Sequence, residues 1–260
     1  MVFFACRNRM AVEGPELFID GLKGIPKGAM PRDIDNRTVA KAYGRWAPIY
    51  DAVFGAVFEP GRTASIVAAE RVGGRFLEVG IGTGMSLLDY SSKNRIVGVD
   101  YSEPMLRKAQ ERVRDHAIAH VEALAVMDAK HLGFRDAVFD VVMAQYVITA
   151  VPDPEAALDE FVRVTKPGGE IILASHLGAE TGPRRIFERG FAPIARRLGW
   201  RPEFPWARIE DWAQKHGGVR LLERRALAPL GHFSLIRYER IAPDAAGVTE
   251  RLSPSVAGRG

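Results

Sequence analysis

The run Glu78-Val79-Gly80-Ile81-Gly82-Thr83-Gly84 constrains this chain more than any other stretch. It closes a short apolar strand pattern and opens a segment with helical spacing, so its three glycines mark a tight strand-to-helix turn. Backbone without side chains lets a ligand approach closely. The spacing also discriminates between ligands. A dinucleotide loop of the G-x-G-x-x-G type wants glycine at position 85, and this chain has Met85 there. With an acid at position 78, the loop suits a ligand without phosphates.

Around this turn, residues 76–79, 96–99, 121–126, 139–144 and 170–174 read as strands. Helical spacing occupies 84–92, 103–115 and 154–165 between several of them. Strands alternating with helices predict an α/β fold with a parallel sheet covered on both faces. Residues 219–224 and 232–238 read as two further strands on a short connection, an antiparallel hairpin at the sheet edge. The expectation is therefore a Rossmann-like, seven-stranded, mostly parallel sheet with helices on both faces. Before it, residues 37–72 read as two helices separated or kinked at Ala47-Pro48. Residues 1–36, broken by glycines and prolines, form an arm; 37–241 form the main domain, with a basic, aromatic insertion at about 178–216; 242–260 form a flexible tail.

The balance of 36 Lys plus Arg against 32 Asp plus Glu gives +4, too little to demand nucleic acid and compatible with an anionic surface. Cys6 is the only cysteine, so no internal disulfide and no cysteine-rich metal site can form. The apolar start breaks at Arg7, which argues against a signal-peptide core or a membrane span. A cytoplasmic location with peripheral membrane contact is the expectation.

Two acids end later strands. Asp100 lies twenty positions after Gly80, where a carboxylate holding ribose hydroxyls is expected; capping the helix that begins near Glu103 is the bland alternative, which Ser102 satisfies equally well. Asp128 follows the third strand and alone reads as a turn residue. As a third acid at a strand's carboxyl end, it falls where ligands of open α/β sheets bind.

Together, Glu78 to Gly84, Asp100, Met127-Asp128-Ala129, Phe139-Asp140 to Tyr146 and Lys166-Pro167-Gly168-Gly169 resemble the ordered motifs of class I methyltransferases. That resemblance implies S-adenosylmethionine as cofactor, S-adenosylhomocysteine as its product, and no metal. It also implies that Gly80, Gly82 and Gly84 cradle the methionyl part, Asp100 holds the ribose, and Asp128 and the Ala129 amide hold the adenine. Gln145 would face the sulfonium, and Glu78, Tyr101, Ser102, Met105 and Tyr43 complete the cofactor set.

The stretch Tyr43-Gly44-Arg45-Trp46-Ala47-Pro48-Ile49-Tyr50-Asp51 with Phe54-Gly55 is similar to quinone-biosynthesis C-methyltransferases and to bacterial phosphatidylethanolamine N-methyltransferases. The whole chain resembles the phospholipid enzymes more, which implies methylation of phosphatidylethanolamine through mono- and dimethyl forms to phosphatidylcholine. Aromatic rings suit a methylated ammonium through cation–π attraction of order 0.5 to 2 kcal/mol each. Tyr146, Tyr50 and Tyr43 are the candidates, with the Tyr146 hydroxyl also able to orient the amine; core packing is the competing reading for each. His176 either helps deprotonate the amine or lies in a polar rim. Arg184 and Arg185 are candidates for the substrate phosphate. Residues 182–200 alternate apolar and arginine positions, and Phe3-Phe4 with the apolar cluster at 17–25 give a second segment suited to docking on an anionic membrane. A quinone-ring C-methyltransferase is the main alternative, and a membrane-surface binding protein without turnover is a third reading.

Overall fold

The computed structural model describes residues 3–4, 50–177, 204–227, 231 and 233–242. Most of the N-terminal arm, the aromatic stretch up to position 49, the basic part of the insertion at 178–203 and the tail after 242 lie outside the described residues. In chain order the elements are β1 (Phe3–Phe4), α1 (Tyr50–Val72), β2 (Arg75–Val79), a 3-10 turn (Met85–Leu88), β3 (Arg95–Asp100) and α2 (Glu103–Asp115). Next come β4 (Val121–Val126), β5 (Phe139–Gln145), α3 (Pro154–Val164), β6 (Thr165–His176), α4 (Trp206–His216), β7 (Val219–Leu227) and β8 (Phe233–Arg240).

These strands form one sheet in the order β1-β4-β3-β2-β5-β6-β8-β7. The stretch from β4 to β6 is parallel, and β8 inserts antiparallel between β6 and β7. Seven strands and the edge hairpin follow the sequence pattern. The eighth corrects it: Phe3 and Phe4 pair antiparallel with Ala125 and Leu124, so they cover the β4 edge. Unpaired N–H and C=O groups at a sheet edge favour such a pairing.

The strands read as continuous apolar runs because both faces are covered. Alternate residues serve opposite cores. Leu77, Val142, Ala144, Ile171 and Leu173 pack with Leu158 and Phe161 of α3 and Ile209 and Trp212 of α4. Phe76, Val141, Met143 and Ile172 pack with Ile66 and Ala69 of α1 and Leu106, Ala109 and Val113 of α2. Helices thus lie on both faces, as the alternation predicts.

The helix expected over 84–92 is reduced to the 3-10 turn at Met85–Leu88. Leu87 N–H bonds to the Gly84 carbonyl and Asp89 N–H to that of Ser86, the tighter i to i−3 pattern. Ser86 and Tyr90 both turn inward to one buried carboxylate, Glu78.

Lys166 to Gly169 is a structural motif at the amino end of β6, away from the carboxyl ends of the strands. Lys166 Nζ lies 2.7 Å from Asp140 Oδ1, and Arg75 N–H donates to Asp140 Oδ2. A Cβ on Gly169 would fall 2.6 Å from the Asp140 carbonyl oxygen, so the irregular pairing of β5 with β6 there admits only glycine.

Phe161 is fully buried between α3 and the sheet. Phe161→Ala is expected to lower stability by about 3–5 kcal/mol, read as a shifted urea midpoint with an unchanged slope.

Candidate active site

The order β3-β2-β5 sends the chain from β2 to β3 on one side and later to β5 on the other, so the connections leaving β2 and β5 diverge. Such a switch point opens a crevice at the strands' carboxyl ends. A cavity of about 210 Å³ occupies it, lined by Phe58 and Arg62 of α1, the loop from Glu78 to Thr83, Asp100 to Ser102, Met127 to Ala129, and Gln145 to Val147 among others.

The loop is held from below. Gly80 N–H and Ile81 N–H both donate to the Val99 carbonyl, at 2.7 and 3.1 Å. Arg112 of α2 donates to the Thr83 carbonyl. The glycines then differ in use. A Cβ on Gly82 would meet nothing within 4 Å, so this backbone is bare toward the cavity. Gly80 has a left-handed φ of 72°, and Val147 packs where its Cβ would stand, at 2.1 Å. Gly84 does not line the cavity: with φ of 73°, its missing Cβ makes room for Leu87 and Ala109 at 2.8 and 2.9 Å. It serves close packing of the turn on α2 rather than contact with a ligand.

Asp100 sits at the end of β3 with Oδ2 accepting from Gly82 N–H at 2.8 Å and Oδ1 from Ser102 N–H at 2.7 Å. Burial raises its pKa against the lowering pull of these amides. The carboxylate therefore shapes the loop as well as lining the cavity. Ser102 occupies the N-cap position of α2, but its side chain makes no cap hydrogen bond. Its buried Oγ finds no partner among the described residues and borders the cavity. Tyr101 is exposed at the rim, and Met105, Asp128 and Ala129 line the far end. Asp128 Oδ1 accepts from Lys130 N–H, which turns the chain after β4.

Glu78 lies at the base of the cavity, 3% exposed. Ser86 Oγ and the Tyr90 hydroxyl donate to it at 2.7 Å. Burial pushes its carboxyl up to about 7, outweighing those bonds and the Arg62 charge.

Tyr146 takes a left-handed φ of 62° straight after β5, a conformation that costs a non-glycine residue about 1–3 kcal/mol. Its neighbours hold it there. The backbone N–H bonds to the Ala174 carbonyl at 2.6 Å, and the hydroxyl donates to the Phe58 carbonyl at 3.1 Å. The ring stacks on Phe58 at 4.2 Å and meets Phe233 edge-on at 5.1 Å. A Cβ on Gly61 would fall 2.0 Å from the hydroxyl oxygen, so α1 keeps a notch for it. The hydroxyl thus points to α1, correcting its expected use toward an amine, and burial raises its pKa. What Tyr146 offers the cavity is its ring.

The structure therefore gathers Tyr146, Gln145, Glu78, Gly80, Gly82, Asp100, Tyr101, Ser102, Met105, Asp128 and Ala129 around one cavity. His176, at the end of β6, does not line it and instead packs edge-on to Phe233 at 6.1 Å. Tyr43, the Tyr50 side chain, Arg184 and Arg185 lie outside what is described. Phe58, Gly61 and Arg62 escaped the sequence reading because they sit on the third and fourth turns of a long helix, past the motif that ends at Gly55.

The cavity fits a ligand with a nucleoside at one end and a compact tail at the other: acids and an unpaired hydroxyl at the β3 and β4 ends, bare backbone at Gly82, and aromatic rings beyond it. Comparison with known proteins agrees with a methyl-transfer site. Residues 77–173 match the methyltransferase domain family. The chain is 36% identical over 202 residues to the phosphatidylethanolamine N-methyltransferase of Cereibacter sphaeroides, covering 78% of this chain and 97% of that one. It is 32% identical over 185 residues to the demethylmenaquinone methyltransferase of Thermobifida fusca, covering 67% and 72%. It shares the fold of "Phospholethanolamine N-methyltransferase 2" of Haemonchus contortus, with a TM-score of 0.60 at 19% identity, covering 76% and 58%. The fold and the switch-point cavity define a Rossmann-like methyltransferase. The chain belongs to the methyltransferase domain family shared with these enzymes.

Gly82 and Gly84 separate in their expected effects. Gly84→Ala adds overpacking against Leu87 and Ala109 to left-handed strain, roughly 2–5 kcal/mol together; Gly82→Ala carries only the strain, about 1–2 kcal/mol. Guanidinium unfolding of both variants measures the difference.

Glu78 sets a pH dependence. A carboxyl whose folded pKa of about 7 exceeds its ordinary 4.5 binds more protons folded than unfolded across that window. Its contribution to stability is therefore present at pH 4.5 and is lost as pH rises toward 7, by an amount of order 3 kcal/mol. Glu78→Gln is expected to flatten that fall, measured by urea midpoints at pH 5 and pH 7.5.

Proposed function

We propose that this enzyme is a phospholipid N-methyltransferase, methylating phosphatidylethanolamine and its mono- and dimethyl forms to phosphatidylcholine at an anionic membrane surface. The observation that carries this reading is the 36% identity extending over 97% of a phosphatidylethanolamine N-methyltransferase. S-adenosylmethionine would be the donor, supplying when bound a methyl group activated by a sulfonium. Asp100 would accept from the ribose hydroxyls, Asp128 with the Ala129 amide would take the adenine, and Gly80 and Gly82 would face the methionyl tail. Gln145 would lie beside the sulfonium.

The acceptor side is consistent with this chemistry. Methyl transfer requires a neutral lone pair in line with the methyl, so positioning supplies much of the acceleration. Tyr146 and Phe58 line the cavity, with Phe233 packed edge-on against Tyr146, and aromatic faces favour the ammonium that grows as the amine is methylated. No helix among the described residues is long and apolar enough to cross a membrane. Contact with the lipid would then fall to peripheral segments, with Arg184 and Arg185 proposed for the phosphate.

The menaquinone relative supports a second reading, C-methylation of a membrane-soluble quinone ring. Purified protein incubated with phosphatidylethanolamine vesicles and S-adenosylmethionine should yield head groups with one, two and three added methyl groups, each replacing a proton and so adding the mass of CH2. Tyr146→Ala is expected to slow this about tenfold or more. Methylation of a demethylmenaquinone analogue with no lipid product would replace the phospholipid reading by the quinone one.

A further inference from the structure

Arg62 is the one Lys or Arg among the described residues lining the cavity. Its neighbours there are awkward for it. A sulfonium and an amine that becomes a quaternary ammonium are both cations, and a permanent guanidinium beside them opposes both unless an anion of the ligand lies between. The lining acids do not fill that role. Asp100 is committed to the Gly82 and Ser102 amides, Asp128 accepts from Lys130 N–H, and Glu78 takes its hydrogen bonds from Ser86 and Tyr90.

The side chain is nevertheless held in place. It is 15% exposed, and its Nε donates to Asp89 at 2.9 Å, while Asp89 itself is 45% exposed. A pair open to water on its acidic side contributes little stability. It does fix the direction of the guanidinium, whose terminal nitrogens offer further donors suited to a two-oxygen anion. Gly61, the preceding residue, forms the notch for the Tyr146 hydroxyl, so the cation stands next to the aromatic group at the reacting end of the cavity.

We infer that Arg62, lining the cavity and positioned by Asp89, is its anion-holding residue and binds a two-oxygen anion of the bound reactants. Two groups have that chemistry: the amino-acid carboxylate of the donor and the phosphodiester of the acceptor. The inference rests on the donor and acceptor proposed above.

Calorimetry with wild type, Arg62→Gln and Arg62→Lys distinguishes the sources, using S-adenosylhomocysteine and 5′-methylthioadenosine, which lacks the amino-acid tail. A ten- to hundredfold loss of S-adenosylhomocysteine affinity in Arg62→Gln, with methylthioadenosine unaffected and part of the loss recovered in Arg62→Lys, supports the inference with the carboxylate as source. Unchanged affinity for both nucleosides, with KM for phosphatidylethanolamine in mixed vesicles raised ten- to hundredfold and kcat maintained, supports it with the phosphate as source. No change in either nucleoside affinity or KM overturns it. Equal loss of both nucleosides in both variants also overturns it, marking Arg62 as a support of the fold. Failure of wild type to bind either nucleoside would instead remove the donor reading, and the inference with it.

Discussion

The pairing of β2 with β3 on one side and β5 on the other is the constraint on which the rest of this molecule depends. Parallel strands must be joined by crossovers, and crossovers leaving neighbouring strands toward opposite sides cannot fill the space above their ends. The cavity follows from that topology. The residues at the ends of β2, β3, β4 and β5 become its walls whatever their type, so their chemistry decides what the cavity receives.

Once the crevice exists, its floor has to be closed with little material. The loop after β2 achieves this with three glycines that do different jobs: Gly82 stays bare toward the cavity, Gly80 yields space to Val147, and Gly84 lets the turn press on Ala109. Beneath them, Glu78 is buried and accepts from two hydroxyls, Ser86 and Tyr90. A 3-10 turn follows it in the chain, and burial pushes its carboxyl up to about 7. On the opposite wall, Tyr146 is strained at φ 62° and is held by bonds to β6 and α1. Strain at a site wall persists only where its surroundings over-determine the conformation. Here two backbone partners and two aromatic neighbours do so.

Much of this was readable along the chain. Apolar runs of strand length alternating with helical spacing identified the parallel sheet, and the acids at positions 78, 100 and 128 pointed to its carboxyl edge, because those signals are local and periodic. The roles of individual residues were less readable. Gly84 looked equivalent to Gly82 in the run of glycines, and Lys166 to Gly169 looked like part of a site motif, yet both answer to packing constraints in which neighbours distant in sequence, Ala109 and Asp140, take part. Phe3-Phe4 read as part of a membrane-docking segment because its strand partner, Leu124-Ala125, lies more than a hundred positions away.

The sequence by itself determined the order of strands and helices, the glycine turn and the acidic strand ends, since each follows from propensities and spacings within a few residues. Only the tertiary structure decided which side chains share the cavity. Phe58 and Tyr146 meet across 88 positions, and Arg62 is steered by Asp89 across 27, through contacts that exist only when α1 is laid on the sheet. No periodicity along a chain encodes a distance between two elements, and it is that distance, set by how the helix packs, that turns separate residues into a site.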